Sequence, residues 1–366
     1  MVADHRPSRA GGVGLFASAI RTLAAMRVLV IGGTNFIGPV VVAELRAGGH
    51  EVAVFHRGET EHADTPGVTH IHGDRERIAE SGADFRRFAP EVVLDMACMF
   101  ERDARAAVDT MRGLARRAVV VSSVDVYRAY GRMHGSEPGP VEPLPLTEES
   151  PLREKLHPYR GERSDGRMDD YDKIPVERAY MSEPELPGTV IRLPVVHGEG
   201  DYQRRLFMEV RRIEAGRPYI LVQEDAAAWR WARAYVGNVA RAIALVTTDE
   251  RAAARVYNAP VDPPLTQREW LVACARIAGW RGEIVEVPAE LMPAHLRQPV
   301  NFAQSIVVDD SRIRGELGYT DAVPPAEGMR RAIEWECAQP AGKASAKYLD
   351  FDAEDAAVAV MRARGA

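Results

Sequence analysis

The 366-residue chain is expected to fold as an α/β protein, a doubly wound parallel sheet followed by a smaller C-terminal α+β part. Three observations predict this. Short apolar runs alternate with segments of helical spacing through the first half, the signature of βαβ units. The first apolar run meets a glycine-rich turn. Past His197 the alternation gives way to shorter strands and helices.

Residues 27–31 (RVLVI) read as a buried parallel strand, because a strand covered on both faces is a continuous apolar run. Residues 36–47 follow with helical spacing and stop at Gly48-Gly49. Strands are then expected at 51–55, 68–72, 92–95 and 118–122, with helices at 78–88 and 101–116 between them. Such crossovers are right-handed. Residues 131–166 hold many Pro, Gly and charged residues without a period, which reads as a functional loop or lid. Helical spacing returns at 173–181, and 189–193 is a sixth strand. The second part is expected to hold helices at 202–215, 236–247 and 266–278, short strands at 219–222 and 256–258, and a terminal helix at 352–364.

Composition excludes several classes. Hydrophobic residues at 46% and charged residues at 27% are ordinary for a soluble globular protein. A net charge of -6 sets up no global positive field, so nucleic acid is not the expected partner. Apolar runs fall short of the roughly 20 residues that span a bilayer. Three widely spaced cysteines, Cys98, Cys274 and Cys337, make neither a disulfide framework nor a zinc site and fit a reducing cytoplasm. The histidines at 50, 56, 62, 70 and 72 lack metal-ligand companions at fixed spacing, and no metal is assigned.

Gly32-Gly33-Thr34-Asn35-Phe36-Ile37-Gly38 sits where a strand turns into a helix. Glycine lets the backbone bend sharply and approach a pyrophosphate, and the helix start offers free N–H groups and a positive dipole end. This places a Rossmann-type dinucleotide site there, with Gly32, Thr34, Asn35, Phe36, Ile37 and Gly38 as contacts. Asn35 stands where a second glycine is usual, and asparagine tolerates left-handed backbone angles. The second strand ends Phe55-His56-Arg57-Gly58, without the acid that grips the ribose of NAD. Arg57 therefore tilts the choice between NAD and NADP toward NADP.

The chain from Met26 to Glu336 resembles the extended short-chain dehydrogenase/reductase superfamily, the NAD-dependent epimerase/dehydratase group. The resemblance rests on the turn at 32–38, Gly73-Asp74-Arg75, Asp95-Met96-Ala97, Ser122 to Tyr127 (SSVDVY), Arg192 to Gly198 (RLPVVHG), Tyr235 to Ala240 (YVGNVA) and Asp309 to Tyr319 (DDSRIRGELGY). It implies that Asp74 and Arg75 lie at the adenine, Ala97 against the cofactor and Pro194 at the nicotinamide. It implies a small-molecule substrate, a sugar nucleotide or another hydroxylated compound, near Tyr127, His197, Arg230 and Arg233. It also implies a homodimer through the helices at 101–116 and near Asp172. Residues 26–198 would form the dinucleotide-binding part, 199–340 the mainly substrate-binding part, 341–366 a tail with a short helix, and 1–25 a disordered extension.

In that family a serine, a tyrosine and a lysine act together, the tyrosine four residues before the lysine on one helix face. Ser123 and Lys173 are carried over, with Glu177 one turn on supporting the lysine. The tyrosine position holds Asp169. Pro175 belongs in a first helical turn, so the helix is expected to start at Asp172, a good N-cap. Tyr171 would then precede the helix and reach the site as acid/base partner of Lys173. The trio Ser123, Tyr171 and Lys173 describes an NAD(P)-dependent oxidoreductase, epimerase or dehydratase. Loss of the tyrosine at 169 describes the alternative, a dinucleotide-binding sensor or RNA-associated factor without redox chemistry. The tryptophans at 229, 231 and 270 are read as core or pocket wall, and Cys98, lacking a histidine partner in sequence, as no nucleophile.

Overall fold

The first apolar run is β1 (Arg27–Ile31), and it lies at the centre of the molecule. The structure, a computed structural model, describes residues 25–60, 67–162, 164–342 and 348–365. Residues 1–24 of the expected extension, His62 and part of the C-terminal tail lie outside the described residues.

From β1 the chain continues through α1 (Ile37–Ala47), β2 (Glu51–His56), β3 (Val68–His72), α2 (Gly82–Phe88), β4 (Val92–Asp95), α3 (Glu101–Met111) and β5 (Arg117–Ser123). After the short α4 (Arg128–Met133) and a long irregular stretch come α5 (Lys173–Met181), β6 (Gly188–Leu193) and β7 (Val195–His197). The second half holds α6 (Phe207–Glu214), β8 (Tyr219–Gln223), β9 (Arg233–Tyr235), α7 (Val236–Thr248) and β10 (Val256–Asn258). It ends with α8 (Gln267–Ile277), β11 (Glu283–Val287), α9 (Ser311–Leu317), α10 (Pro325–Ala338) and α11 (Phe351–Gly365).

The main sheet has seven parallel strands in the order β10-β6-β5-β4-β1-β2-β3. Val28, Val30, Val52 and Val54 pack on one face against α1 and α7. Leu29, Ile31, Ala53 and Phe55 pack on the other, with Phe85 of α2, Ala104 of α3 and Val176 of α5. Strand order reverses beside β1, which opens a crevice at the carboxyl edge of the sheet where ligands of such folds bind.

Several boundaries differ from expectation. β10, expected in the smaller part, is an edge strand of the main sheet beside β6. α3 stops at Met111 because Arg112 leaves helical angles and Gly113 takes φ +75°. The helix expected from 202 begins only at Phe207, because Asp201 captures the amides of Gln203 and Arg205 and Arg204 takes φ +52°. The segment expected as a lid is a wall. Leu146 bridges to Val308, Glu137 accepts from the amides of Glu154 and Lys155, and Arg153 reaches back to the Asp125 carbonyl at 2.6 Å. The terminal helix is docked as well: Arg212 and Glu354 form an ion pair with both side chains buried. Among the described residues, no helix is long and apolar enough to cross a membrane.

Candidate active site

The glycine turn is packed too closely for side chains. A Cβ on Gly38 would stand 2.4 Å from the backbone of Gly33, and one on Gly32 would meet the Ala97 Cβ at 3.0 Å. Gly32 and Gly33 take φ +87° and +84°. The left-handed angle expected at Asn35 falls on the next residue: Phe36 has φ +46°. Its ring meets Tyr202 edge-on and lies under the Arg205 guanidinium, contacts that hold the strained residue in place. The start of α1 carries no side-chain cap and no acid in its first turn, so its positive end stays open to an anion. The cradle fits a dinucleotide diphosphate. Gly38→Ala is therefore expected to cost about 1–3 kcal/mol in stability and to abolish dinucleotide uptake, as read by thermal melting and by nucleotide titration.

The other candidate cofactor residues are spread around this turn. Thr34 shares a 2.9 Å hydroxyl–hydroxyl bond with Thr60, which ties the loop after β2 to the turn. Arg57 is exposed and paired with Glu59 at 2.9 Å. Asp74 caps the turn after β3 by accepting from the Glu76 amide. The Arg75 guanidinium grips Asp95 through two bonds of 2.7 and 2.6 Å and holds that carboxyl below its ordinary range despite complete burial. Asp95 in turn receives the Ala97 amide and the Tyr180 hydroxyl, which fixes Ala97 against Gly32. Ile37 opens α1, and Pro194 lies between β6 and β7 at the rim of a cavity.

That cavity, about 920 Å³, adjoins the carboxyl ends of β5 and β6. One wall carries Ser123, Asp125, Tyr171 and Pro194 from the sheet side. The lining also includes Glu209 of α6, Arg233 of β9, Trp270 of α8, Trp229 and Trp231. Tyr159 of the irregular segment and His197 complete the lining used below.

α5 begins as its residues require. Asp172 caps it, accepting from Ile174 at 2.9 Å, and Pro175 sits in the first turn. Tyr171 precedes the helix, with its backbone bridged to Phe100. Its hydroxyl donates to Asp125 Oδ2 at 2.7 Å. Burial lifts the phenol well above its ordinary value, and the Asp125 charge adds to the rise. Asp125 is itself buried, and burial raises its carboxyl although Tyr171, Arg153 and Lys173 pull it down. Its Oδ1 has no hydrogen-bond partner. Ser123 accepts from the Asp125 amide at 3.2 Å, so the serine and the carboxylate are fixed to each other.

Lys173 does not take the expected partners. Its ammonium donates to the carbonyls of Cys98 at 2.6 Å and Val121 at 3.1 Å, bridging the ends of β4 and β5, and burial lowers its pKa. Glu177 supports Arg192, through bonds of 2.9 and 2.7 Å, rather than Lys173. Asp169, at the family's tyrosine position, lies outside α5 and accepts from the Gly161 amide. Burial pushes the Cys98 thiol up.

Two expected substrate residues lie elsewhere. Tyr127 is fully buried, donates to Asn258 at 2.5 Å and accepts from Arg192. Arg230 turns outward to the Pro264 carbonyl and Glu269. Both are polar groups whose side of the backbone the sequence does not show. Arg233 and His197 do line the cavity; His197 Nε2 lies 2.8 Å from an Asp262 carboxylate oxygen, and Arg233 stacks 4.4 Å over Trp270. Asp125 and Glu209 were missed. Asp125 lies inside the SSVDVY motif, and that was the one available signal.

A seven-stranded parallel sheet, a glycine cradle at its centre and a cavity at its carboxyl edge define a Rossmann-type α/β fold. The chain is similar to 2′-dehydrokanamycin reductase of Streptomyces kanamyceticus, 28% identical over 313 residues that cover 82% of this chain and 80% of that one. The structure is similar to UDP-glucose 4-epimerase of Thermotoga maritima, solved with UDP-glucose (19% identity, TM-score 0.63, 85% and 98% of the two chains). It is also similar to the Thermus thermophilus UDP-glucose 4-epimerase solved with NAD (23% identity, TM-score 0.60, 86% and 100%). No family model matches the chain.

Proposed function

We propose that this protein is an NAD(P)-dependent reductase of a carbonyl on a hydroxylated, sugar-like substrate, with Asp125 and Tyr171 managing the proton. The observation that carries the reading is the Tyr171–Asp125 pair in the cavity wall, with one carboxyl oxygen unpartnered beside Ser123. A nicotinamide dinucleotide whose diphosphate rests on Gly32, Gly38 and the start of α1 would supply the hydride chemistry. Asp125, kept toward its neutral form by burial, donates its proton from Oδ1 to the substrate oxygen as negative charge develops there. Tyr171 donates to Oδ2 and stabilises the carboxylate left behind. Ser123 offers a second hydrogen bond to the reacting oxygen. Lys173 holds the two strand ends that frame the site.

The similarity to 2′-dehydrokanamycin reductase favours reduction over epimerisation.

The test is consumption of reduced nicotinamide on addition of 2′-dehydrokanamycin, with UDP-glucose as the comparison. Saturable turnover with the ketone is expected. Nucleotide binding without turnover of any ketone would favour the sensor reading, which the aspartate at 169 supports. Tyr171→Phe removes one hydrogen bond to a developing charge, about 1.5–3 kcal/mol, so kcat is expected to fall about 10- to 100-fold with KM little changed. Arg57 is assigned to the 2′-phosphate; Arg57→Ala should weaken NADPH binding about tenfold, the loss of one charged hydrogen bond, and leave NADH alone. The implied homodimer would use α3 and α5, which pack side by side, and sedimentation equilibrium checks it.

A further inference from the structure

Four residues that line the cavity each carry a buried side-chain atom without a hydrogen-bond partner: Asp125 Oδ1, Glu209 Oε2, His197 Nδ1 and Trp231 Nε1. Asp125 is assigned above to the reacting oxygen. His197 Nε2 lies 2.8 Å from an Asp262 carboxylate oxygen. What remains includes the Glu209 carboxyl oxygen, an acceptor that suits a donor on a ligand.

The arginines of the cavity are already committed. Arg205 pairs with Asp201 at 2.8 Å and Arg212 with Glu354 at 2.5 Å. Arg297 donates to the carbonyls of Met292 and Glu290, and Arg233 to Gln267 and the Trp231 carbonyl. Their remaining N–H groups are still open to an anion, so the preference of the cavity rests on Glu209. It is 9% exposed, and among the described residues no cation lies within ion-pair distance of it. Burial raises its carboxyl above the ordinary value and Glu336 adds to the rise, although its own helix amide, Arg233 and Arg212 pull it down. A buried carboxylate of this kind is costly until a cation meets it.

We infer that Glu209 is the counter-charge for a protonated amine on the substrate, so that the cavity takes an amino-bearing polyol rather than a phosphate-bearing sugar. This rests on the cavity being the substrate site of the reductase proposed above.

Trp229, Trp231 and Trp270 line the cavity, so ligand entry is read by intrinsic fluorescence without cofactor or turnover. The probes are glucosamine, N-acetylglucosamine and UDP-glucose. Glucosamine is expected to titrate the signal at least about tenfold more tightly than N-acetylglucosamine, which has the nitrogen but not its charge. Glu209→Gln should erase that difference while leaving the melting temperature near the parent's. Equal binding of the two amino sugars by the parent protein, tighter binding of UDP-glucose, or an unchanged preference in a folded Glu209→Gln variant would each overturn the inference. If that variant does not fold, the parent's selectivity still decides. Amine-selective binding without ketone turnover would retain this inference and remove the reductase; turnover without amine preference would do the reverse.

Discussion

Asp125→Asn is expected to lower kcat for carbonyl reduction by about 10²–10⁴-fold, the range of a lost general acid. Asparagine keeps the size of the side chain and an oxygen to accept the Tyr171 hydroxyl, so binding and fold should persist. The pH profile gives the more specific reading. Burial holds the Asp125 carboxyl above its ordinary range, and the acid form is the one that donates. Reduction should therefore be fastest at low pH and fall as pH rises through that raised value. In the asparagine variant this limb should vanish and leave a low, flat rate. A variant with unchanged kcat, or one retaining the same limb, would remove Asp125 from the chemistry.

The second large effect concerns the start of α5. Arg153 and Asp172 form an ion pair with both side chains 0% exposed. Arg153 also donates to the carbonyls of Asp125 and Lys155, and Asp172 receives the amides of His157 and Ile174. Arg153→Met leaves a carboxylate buried without its cation, which costs about 3–5 kcal/mol. Because Asp172 caps the helix next to Tyr171 and Arg153 holds the Asp125 backbone, activity should fall with stability. Urea unfolding with an unchanged slope would show the loss. Asp172→Asn in the same background removes the stranded charge and should recover a good part of the stability, although not the lost bonds to Asp125 and Lys155. A single variant as stable as the parent would contradict this account.

How much of the site was legible depended on range. The α5 start could be read because Asp172 and Pro175 act on their own turn. Tyr171 could then be placed ahead of the helix. Its partner could not, because Asp125 is 46 residues away in sequence and meets it only in the folded chain. The expected dyad of Tyr171 with Lys173 follows from nearness in the chain, but the fold sends the two side chains to different neighbours, one to a carboxylate and one to strand-end carbonyls. Glu209 carried no local signal: a glutamate in a first helical turn is ordinary, and only the absence of a partner in the folded chain marks it out.

The sequence by itself determined the parallel sheet, the glycine turn and the start of α5, because each depends on backbone preferences and apolar periodicity within a few residues. Tertiary structure decided which polar groups meet. Arg75 with Asp95, Glu177 with Arg192, Tyr171 with Asp125 and the open face of Glu209 are settled by packing between elements far apart in the chain. A charged side chain reaches whichever partner the assembled core brings within about 3 Å, and local spacing carries no record of that choice.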